Sequence, residues 1–258
     1  MDGFEKFSVN SSGTRFKGVK RAGFTGVEQL CTAPDNDPGA EIFKNSRKIC
    51  AAAVNGFFVK RFNLPGVWNQ FRRNFKCGRP WIILKMSEAL RDAGINTPAV
   101  HAAVSGFCNL HRRDYLVSDL VPGNFIQLDR IPETQLTQQQ VWEIIENSVI
   151  PEVVKMHDRG IVHGDLSLRN IYAGDGKIVF IDLDSTVQYK NGISDRDRCR
   201  EIARLISSFC RSYTSIPADE LTAPAMKAYR KYSGIIPDEK CLRREVNYFI
   251  DNHKYIRI

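Results

Sequence analysis

Residues 161–184 read Ile-Val-His-Gly-Asp-Leu-Ser-Leu-Arg-Asn-Ile-Tyr-Ala-Gly-Asp-Gly-Lys-Ile-Val-Phe-Ile-Asp-Leu-Asp, and this stretch decides the fold. Asp165 is followed five residues later by Asn170, and an apolar run ends at Asp182. Between them, the Gly-Asp-Gly sequence at 174–176 is typical of a tight turn that joins two short strands. Such a hairpin predicts that three oxygen-bearing side chains converge on one small volume.

These three side chains fit phosphoryl transfer, which depends mainly on positioning and charge neutralisation. In a kinase-type site one Asp orients the acceptor hydroxyl, while an Asn and a second Asp hold the metal ion on the phosphates. The spacing of Asp165, Asn170 and Asp182 matches this division of roles. The stretch therefore indicates a kinase-type catalytic segment.

The composition bounds the class of protein. With 258 residues, 43% of them hydrophobic and 26% charged, the chain is typical of a globular protein of one domain or two lobes. The sequence has no apolar run long enough to cross a bilayer, and its first residues lack the apolar core of a secretion signal. The seven cysteines are scattered without a Cys-x-x-Cys pair, which indicates reduced thiols in the cytosol.

The net charge of +8 predicts attraction to an anionic partner. Lys60 to Arg79 holds six basic and no acidic residues, interleaved with aromatic ones. This basic-aromatic segment is either a docking surface for an anionic partner or a solvated face whose rings pack on the core. Anionic lipid is a candidate partner, whereas no recognition motif for nucleic acid accompanies the charge.

The first 40 residues are rich in Gly, Ser, Asn, Asp and Pro and are the least informative. They contain candidate strands near Phe16–Val19 and Val27–Thr32, and the Pro-Asp-Asn-Asp-Pro-Gly run at 34–39 predicts a loop.

A hairpin follows, because Asn55-Gly56 separates the apolar runs 49–54 and 57–62. Lys60 then shares a strand face with Phe58 and Phe62. A lysine on an apolar face either extends to solvent or meets a buried anion. Together with the catalytic segment, its position after a hairpin favours a role in binding nucleotide phosphates.

A helix is predicted over 79–93, with Pro80 near its start and Gly94 as its stop. Glu88 is the only Glu in it. In a kinase this helix supplies a Glu that pairs with the strand lysine. The alternative is an exposed Glu88 that pairs locally with Lys85 or Arg91.

Two further strands are predicted near 99–103 and 115–120, the second opening into a Pro-Gly turn that can act as a hinge. The remainder is helical. Thr137 to Gln140 has the spacing of a capping box, and Pro151 should kink or divide the helix that follows. Beyond the catalytic segment we predict helices at about 196–213, 219–232 and 238–252.

Taken together, these motifs resemble the lipopolysaccharide core kinases, the Kdo and heptose kinase family within the protein-kinase-like fold. The resemblance covers roughly residues 40–215. It depends on the order of four segments: Phe-Phe-Val-Lys-Arg-Phe (57–62), Ala-Gly-Ile-Asn-Thr-Pro (93–98), Met-His-Asp-Arg-Gly-Ile-Val-His-Gly-Asp-Leu-Ser-Leu-Arg-Asn (156–170) and Ile-Asp-Leu-Asp (181–184). Each segment is weak alone, and their combination in this order is specific.

The resemblance implies a bilobal α+β fold. The expected N-lobe, residues 1–120, is a β-sheet with one main helix, and the expected C-lobe, residues 121–258, is helical and carries the catalytic loop. It also implies Asp165 as the catalytic carboxylate.

The resemblance further implies Asn170 and Asp182 as Mg²⁺ ligands and Lys60 as a ligand of the ATP phosphates. Glu88 is then the partner of that lysine, and Asp119 lies at the hinge whose backbone faces the adenine.

The sequence also departs from the protein-kinase pattern. A Gly-rich phosphate loop is missing, and Ile-Phe-Lys-Asn-Ser-Arg (42–47) takes its place, so that Lys44 is a candidate phosphate ligand. Leu183-Asp184 stands where Phe-Gly is usual, and no Ala-Pro-Glu follows. These departures disfavour a protein kinase that is regulated through its activation loop and favour a glycolipid or small-molecule kinase.

The sequence therefore predicts an ATP- and Mg²⁺-dependent kinase that phosphorylates a heptose or Kdo hydroxyl of the lipopolysaccharide inner core. We expect it in the cytoplasm, peripheral on the inner face of the inner membrane. The alternatives are an atypical Ser/Thr protein kinase, a kinase of small metabolites, or a pseudokinase that binds an anionic membrane. The sequence leaves the oligomeric state open.

Overall fold

The computed structural model describes residues 2–11, 13–63, 78–108, 111–130, 136–213, 217–235 and 238–254. The chain forms two compact units. The first consists of residues 1–88 and 98–120, and the second of residues 89–97 and 121–258. The architecture is the mixed α+β arrangement that was predicted, with the sheet in the first unit and most helices in the second.

The first unit is built on a seven-stranded antiparallel sheet with the strand order β1-β2-β6-β7-β5-β4-β3. Its strands are β1 (Phe4–Ser11), β2 (Thr14–Arg21), β3 (Glu41–Asn45), β4 (Ile49–Val54), β5 (Phe57–Asn63), β6 (Val100–Cys108) and β7 (His111–Asp119). The predicted hairpin is confirmed, since Asn55 and Gly56 both have positive φ between β4 and β5. This conformation matches the twist of the flanking strands.

Helix α1 (Val27–Asn36) covers one face of this sheet, so the predicted strand at Val27–Thr32 is wrong. Val27 and Thr32 are β-branched and favour a strand locally. However, Val27, Leu30 and Cys31 recur at helical spacing and are buried in the core that the helix forms with the strands. Packing on the sheet outweighs the local preference. The helix also extends into the predicted loop, to Asn36.

Helix α2 (Arg79–Asp92) confirms the helix predicted over 79–93. It is the main helix expected in the first half of the chain, and α1 is an additional one. The Arg79 guanidinium lies 5.9 Å from the centre of the Phe62 ring of β5. The described residues include only the two ends of the basic-aromatic segment, because residues 64–77 lie outside them.

The second unit contains five helices among its described residues: α3 (Gln138–Ile144), α4 (Ile150–Asp158), α5 (Asp195–Ser212), α6 (Ala218–Ser233) and α7 (Glu239–Lys254). The capping box is confirmed, because the Thr137 hydroxyl accepts from the Gln140 backbone and the Gln140 side chain accepts from the Thr137 backbone. A π-helical turn, Ile145–Val149, joins α3 to α4 just before Pro151. Pro151 therefore divides the helix, as predicted, because a proline nitrogen cannot donate to the helix ladder.

Five short strands lie within the catalytic segment or pair with its strands. They are β8 (Ile126–Gln127), β9 (Ile161–Val162), β10 (Ile171–Gly174), β11 (Lys177–Phe180) and β12 (Val187–Gln188). β10 pairs with β8 and β11, and β9 pairs with β12. Asp175 and Gly176 both adopt positive φ at the β10–β11 turn, which confirms that the Gly-Asp-Gly sequence closes a hairpin.

Within the described ranges, none of the helices has the length and apolar character that a membrane span requires. Five of the seven cysteines have described side chains, and all five are free thiols: Cys31, Cys50, Cys199, Cys210 and Cys241. These agree with the reduced state that was predicted.

Candidate active site

Asp165 lies in the loop between β9 and β10, with about a third of its side chain exposed. Its two oxygens contact different arginines: Oδ1 is 3.3 Å from Nη1 of Arg204, and Oδ2 is 3.4 Å from Nη2 of Arg169. Asn170 donates from Nδ2 to the Asp165 carbonyl oxygen at 2.8 Å and to Oδ2 at 3.3 Å. The structure thus brings the predicted catalytic Asp and Asn into direct contact.

Asp182 joins them at the same end of the β10–β11 hairpin. Asn170 immediately precedes β10, and its carbonyl oxygen accepts from the Ile181 amide at 3.0 Å. Asp182 is therefore one residue from a direct backbone contact of Asn170. Its φ of 61° is left-handed, a conformation that is uncommon for residues other than glycine. All three predicted residues of the catalytic segment are thus neighbours.

Glu201 of α5 fixes the backbone of this loop. Its carboxylate accepts from the His163 amide at 2.6 Å and from the Gly164 amide at 2.8 Å, and the residue is 1% exposed. Burial alone would raise the pKa of this carboxyl. The facing His157, together with His163 and the Gly164 amide, holds the pKa below its ordinary value instead. A buried anion that binds two successive amides gives the loop a single conformation.

A buried polar chain continues behind Glu201. His157 Nε2 lies 3.6 Å from Glu201, and His157 Nδ1 lies 2.8 Å from the Tyr229 hydroxyl of α6. The Tyr229 hydroxyl oxygen accepts from Arg198 Nη1 at 2.7 Å. Burial raises the pKa of Tyr229 to about 12, which keeps the hydroxyl protonated.

Sequence reasoning missed Glu201. One signal was present, because Glu201 precedes Ile202 and lies four residues before Leu205. It therefore falls on the apolar stripe of an otherwise polar helix. An acid in that position needs a buried partner. The sequence does not reveal that the partner is a pair of backbone amides.

Gly164 adopts a φ of 80°, and a Cβ there would lie 2.3 Å from the carbonyl oxygen of Ser185. Only glycine fits both requirements. His163 is fully buried, and its Nε2 lies 3.0 Å from the Ile181 carbonyl oxygen. The side chain of His163 thus connects the loop to the end of β11.

Lys60, the predicted phosphate ligand, belongs to the first unit, and its role at the nucleotide stays a prediction. It lies on β5 with 9% exposure. Lys60 pairs with Ala51 of β4, which in turn pairs with Lys44 of β3. Residues in such a cross-strand row project from the same face of a sheet. The sheet therefore presents both predicted lysines on one face, Lys60 buried and Lys44 exposed.

Glu88 forms an ion pair with Arg21 of β2, with 2.9 Å between Oε1 and Nη2. Its partner is thus neither Lys85 nor Arg91, the two local alternatives. β2 is separated from β5, which carries Lys60, by β6 and β7. The pairing of Glu88 with Lys60 stays a prediction.

Asp119 ends β7, and its Oδ1 lies 2.6 Å from Nε2 of His101. It is paired with Phe57 in the sheet and is half exposed. The His101 contact gives its side chain a partner within the first unit. Its role at the adenine stays a prediction.

Several solved structures are similar in fold to this chain. WbdD matches with a TM-score of 0.52 and 14% identity over 82% of this chain and 50% of that chain. A second WbdD structure is described as a bifunctional kinase-methyltransferase. Glucosamine kinase matches with a TM-score of 0.49 and 14% identity over 99% and 89% of the two chains. WaaP in complex with acyl carrier protein matches with a TM-score of 0.45 and 16% identity over 81% and 88%.

The protein has the protein-kinase-like fold and is a phosphotransferase, as the catalytic segment predicted. Residues 85–221 match the RIO domain, and this match covers more than half of the chain. The chain therefore belongs to the RIO domain family. No curated protein sequence matches it.

Proposed function

We propose that this protein transfers the γ-phosphate of Mg²⁺-ATP to a sugar hydroxyl, heptose or Kdo, of the lipopolysaccharide inner core. The observation that carries the proposal is the contact of Asp165 with Asn170, next to a left-handed Asp182. In a kinase-type site, these are the groups that orient the acceptor and hold the metal.

The residues near the hairpin end fit Mg²⁺. Asn170 uses its Nδ2 on Asp165, which leaves its amide oxygen as a ligand. Asp182 supplies a carboxylate, and Mg²⁺ prefers such oxygen ligands together with substrate phosphates. When bound, the metal ion would neutralise charge on the phosphates. Lys60 and Lys44 share a sheet face, which supports a role for both with the anionic nucleotide.

The choice of a lipopolysaccharide sugar as the acceptor has two lines of support. It is supported by the resemblance of the four sequence segments to the lipopolysaccharide core kinases. The net charge of +8 also favours an anionic, membrane-borne acceptor. The enzyme would then act as a peripheral protein at the inner face of the inner membrane.

The test is transfer of labelled γ-phosphate from Mg²⁺-ATP to heptose- or Kdo-terminated acceptors. Asp165→Ala should lower the rate by about 10²-fold or more, since it removes the group that orients the hydroxyl. Asp158→Ala is the matched control, because Asp158 is an exposed carboxylate at the end of α4. Equal transfer by the wild type and Asp165→Ala would contradict the role of Asp165.

The same assay separates the alternatives. Protein, aminoglycoside-like and glycolipid acceptors offered side by side distinguish a glycolipid kinase from a protein or metabolite kinase. A pseudokinase that holds an anionic membrane would transfer phosphate to none of them. It would also show no thermal shift with Mg²⁺-ATP.

A further inference from the structure

A cavity of about 710 Å³ opens beside Asp165 in the second unit. The catalytic loop, α5 and α7 all contribute to its wall. Because Asp165 is the group that would orient the acceptor, a cavity that it lines is a natural place for the rest of that acceptor. The side chains around it should then report the chemistry of the acceptor.

Three arginines line this cavity: Arg169 from the loop, and Arg204 and Arg211 from α5. Arg204 and Arg211 are seven residues apart, so they lie on one face of the helix, about 10 Å apart along its axis. Arg169 and Arg204 both contact Asp165. Arg211 is different: within the described parts of the chain it has no hydrogen bond and no ion pair.

The side chains that line the cavity therefore carry an excess of positive charge. Its carboxylates are Asp165, already shared by two arginines, and Asp129. Burial and the nearby Arg169 lower the pKa of Arg211, while Asp165 acts in the opposite direction. A guanidinium held beside another guanidinium without a bound carboxylate favours an incoming anion.

Two hydroxyl groups on the cavity wall are also unsatisfied. Ser167 Oγ and Ser207 Oγ are buried, and neither has a hydrogen-bond partner among the described residues. Buried hydroxyls are normally paired, so these two are donors that a bound polar ligand can use after a side-chain rotation.

An aromatic pair completes the wall. The Arg204 guanidinium lies over the Phe249 ring, 4.9 Å from the ring centre. This contact helps to hold the Arg204 side chain in place. Tyr248 is 52% exposed, and the centre of its ring lies 5.4 Å from the centre of the Phe249 ring. Its exposed ring offers a flat apolar surface with a polar hydroxyl end, on which a sugar ring could pack.

We propose that this cavity is the acceptor site and that it selects a sugar carrying a carboxylate or phosphate, with Arg211 as the specificity-determining residue. The hydroxyl to be phosphorylated lies at Asp165, and the anionic group lies toward Arg211. This inference rests on the proposed phosphotransfer. It can fail independently of the phosphotransfer, because its test measures the binding of sugars in the absence of nucleotide.

The experiment uses glucose, glucuronate and glucose 6-phosphate as probes, since these sugars differ only at C6. The full chain is titrated with each by calorimetry in phosphate-free buffer of low ionic strength, without ATP. The two anionic sugars should bind at least about tenfold more tightly than glucose, because a charge-assisted contact to Arg211 is added. The two arms then show which of the anions, carboxylate or phosphate, the site prefers.

Arg211→Gln should abolish this preference, whereas Arg230→Gln, which removes an exposed charge from α6, should keep it. Equal affinity for the three sugars, binding of none of them, or equal behaviour of the two variants would overturn the proposal. If inorganic phosphate binds as tightly as glucose 6-phosphate, recognition of a sugar is wrong. Binding of Mg²⁺-ATP, measured separately, reports on the proposed phosphotransfer instead.

Discussion

Replacing Glu201 by glutamine should loosen the backbone of the catalytic loop. The carboxylate accepts from two successive amides, those of His163 and Gly164, at 2.6 and 2.8 Å. A glutamine has nearly the same shape but only one acceptor oxygen. Its NH₂ group must then face one of the two N–H donors, which leaves that donor unsatisfied in a buried position.

The size of the effect follows from these contacts. A hydrogen bond to a charged group contributes about 1.5–3 kcal/mol, and an unsatisfied buried donor costs about 1–3 kcal/mol. Since the loop can relax in part, we expect Glu201→Gln to lower the free energy of unfolding by about 2–4 kcal/mol at pH 7. The rate of phosphotransfer should fall as well, because Asp165 directly follows Gly164.

The effect should depend on pH in a defined direction. The pKa of Glu201 is lower in the folded protein than its ordinary value of 4.5. The charge therefore contributes stability that is fully present above about pH 4.5 and is lost as the pH falls through the folded-state pKa. The difference between wild type and Glu201→Gln should therefore shrink as the pH falls below about 4.5.

Urea unfolding at a series of pH values measures both quantities. Glu220→Gln is the matched control, because Glu220 is exposed in the first turn of α6 and should change stability by less than about 0.5 kcal/mol. The reasoning would be refuted by a difference below about 0.5 kcal/mol at pH 7. A difference of equal size at pH 7 and pH 3.5 would also refute it.

Two further predictions concern the glycine of the loop and the ion pair of α2. Gly164→Ala should lower the free energy of unfolding by about 3 kcal/mol, because a Cβ there meets a carbonyl oxygen at 2.3 Å and the backbone is left-handed. Gly176 is also left-handed but has open space around it. Gly176→Ala should therefore lower the free energy of unfolding by only about 1 kcal/mol in the same urea titration. A double-mutant cycle of Arg21→Gln and Glu88→Gln should give a coupling of about 0.2–1 kcal/mol. An increase in the KM for ATP in Glu88→Gln alone would support the pairing of Glu88 with Lys60, whereas an equal increase in Arg21→Gln would contradict it.

Much of the fold could be predicted because its determinants are local. Asn55-Gly56 and Asp175-Gly176 close hairpins through their own backbone preferences. Thr137 caps a helix through a residue only three positions away. The approach of Asn170 to Asp182 was equally predictable, because one hairpin joins them, and Asp165 lies only five residues before Asn170.

Other features depend on tertiary contacts and could not be predicted. Val27–Thr32 favours a strand by composition and is helical because its apolar residues bury against a sheet formed by distant segments. Glu88 has a partner 67 residues away in the sequence. No sequence pattern near Glu88 predicts its pairing with Arg21. The resemblance to the lipopolysaccharide core kinases predicts a pairing with Lys60 instead.

The contacts of α5 explain why the site has one geometry. Along one face of this helix, Glu201 accepts from the loop amides at 163 and 164, Arg204 contacts Asp165, and the Ser208 hydroxyl accepts from the Leu168 amide at 2.9 Å. Successive turns of the helix thus contact successive parts of the loop. Arg211 continues the same face into the cavity. Because one rigid helix holds both the catalytic loop and the proposed anion site, a shift of α5 would displace the reacting hydroxyl and its anionic anchor together, and their separation stays fixed.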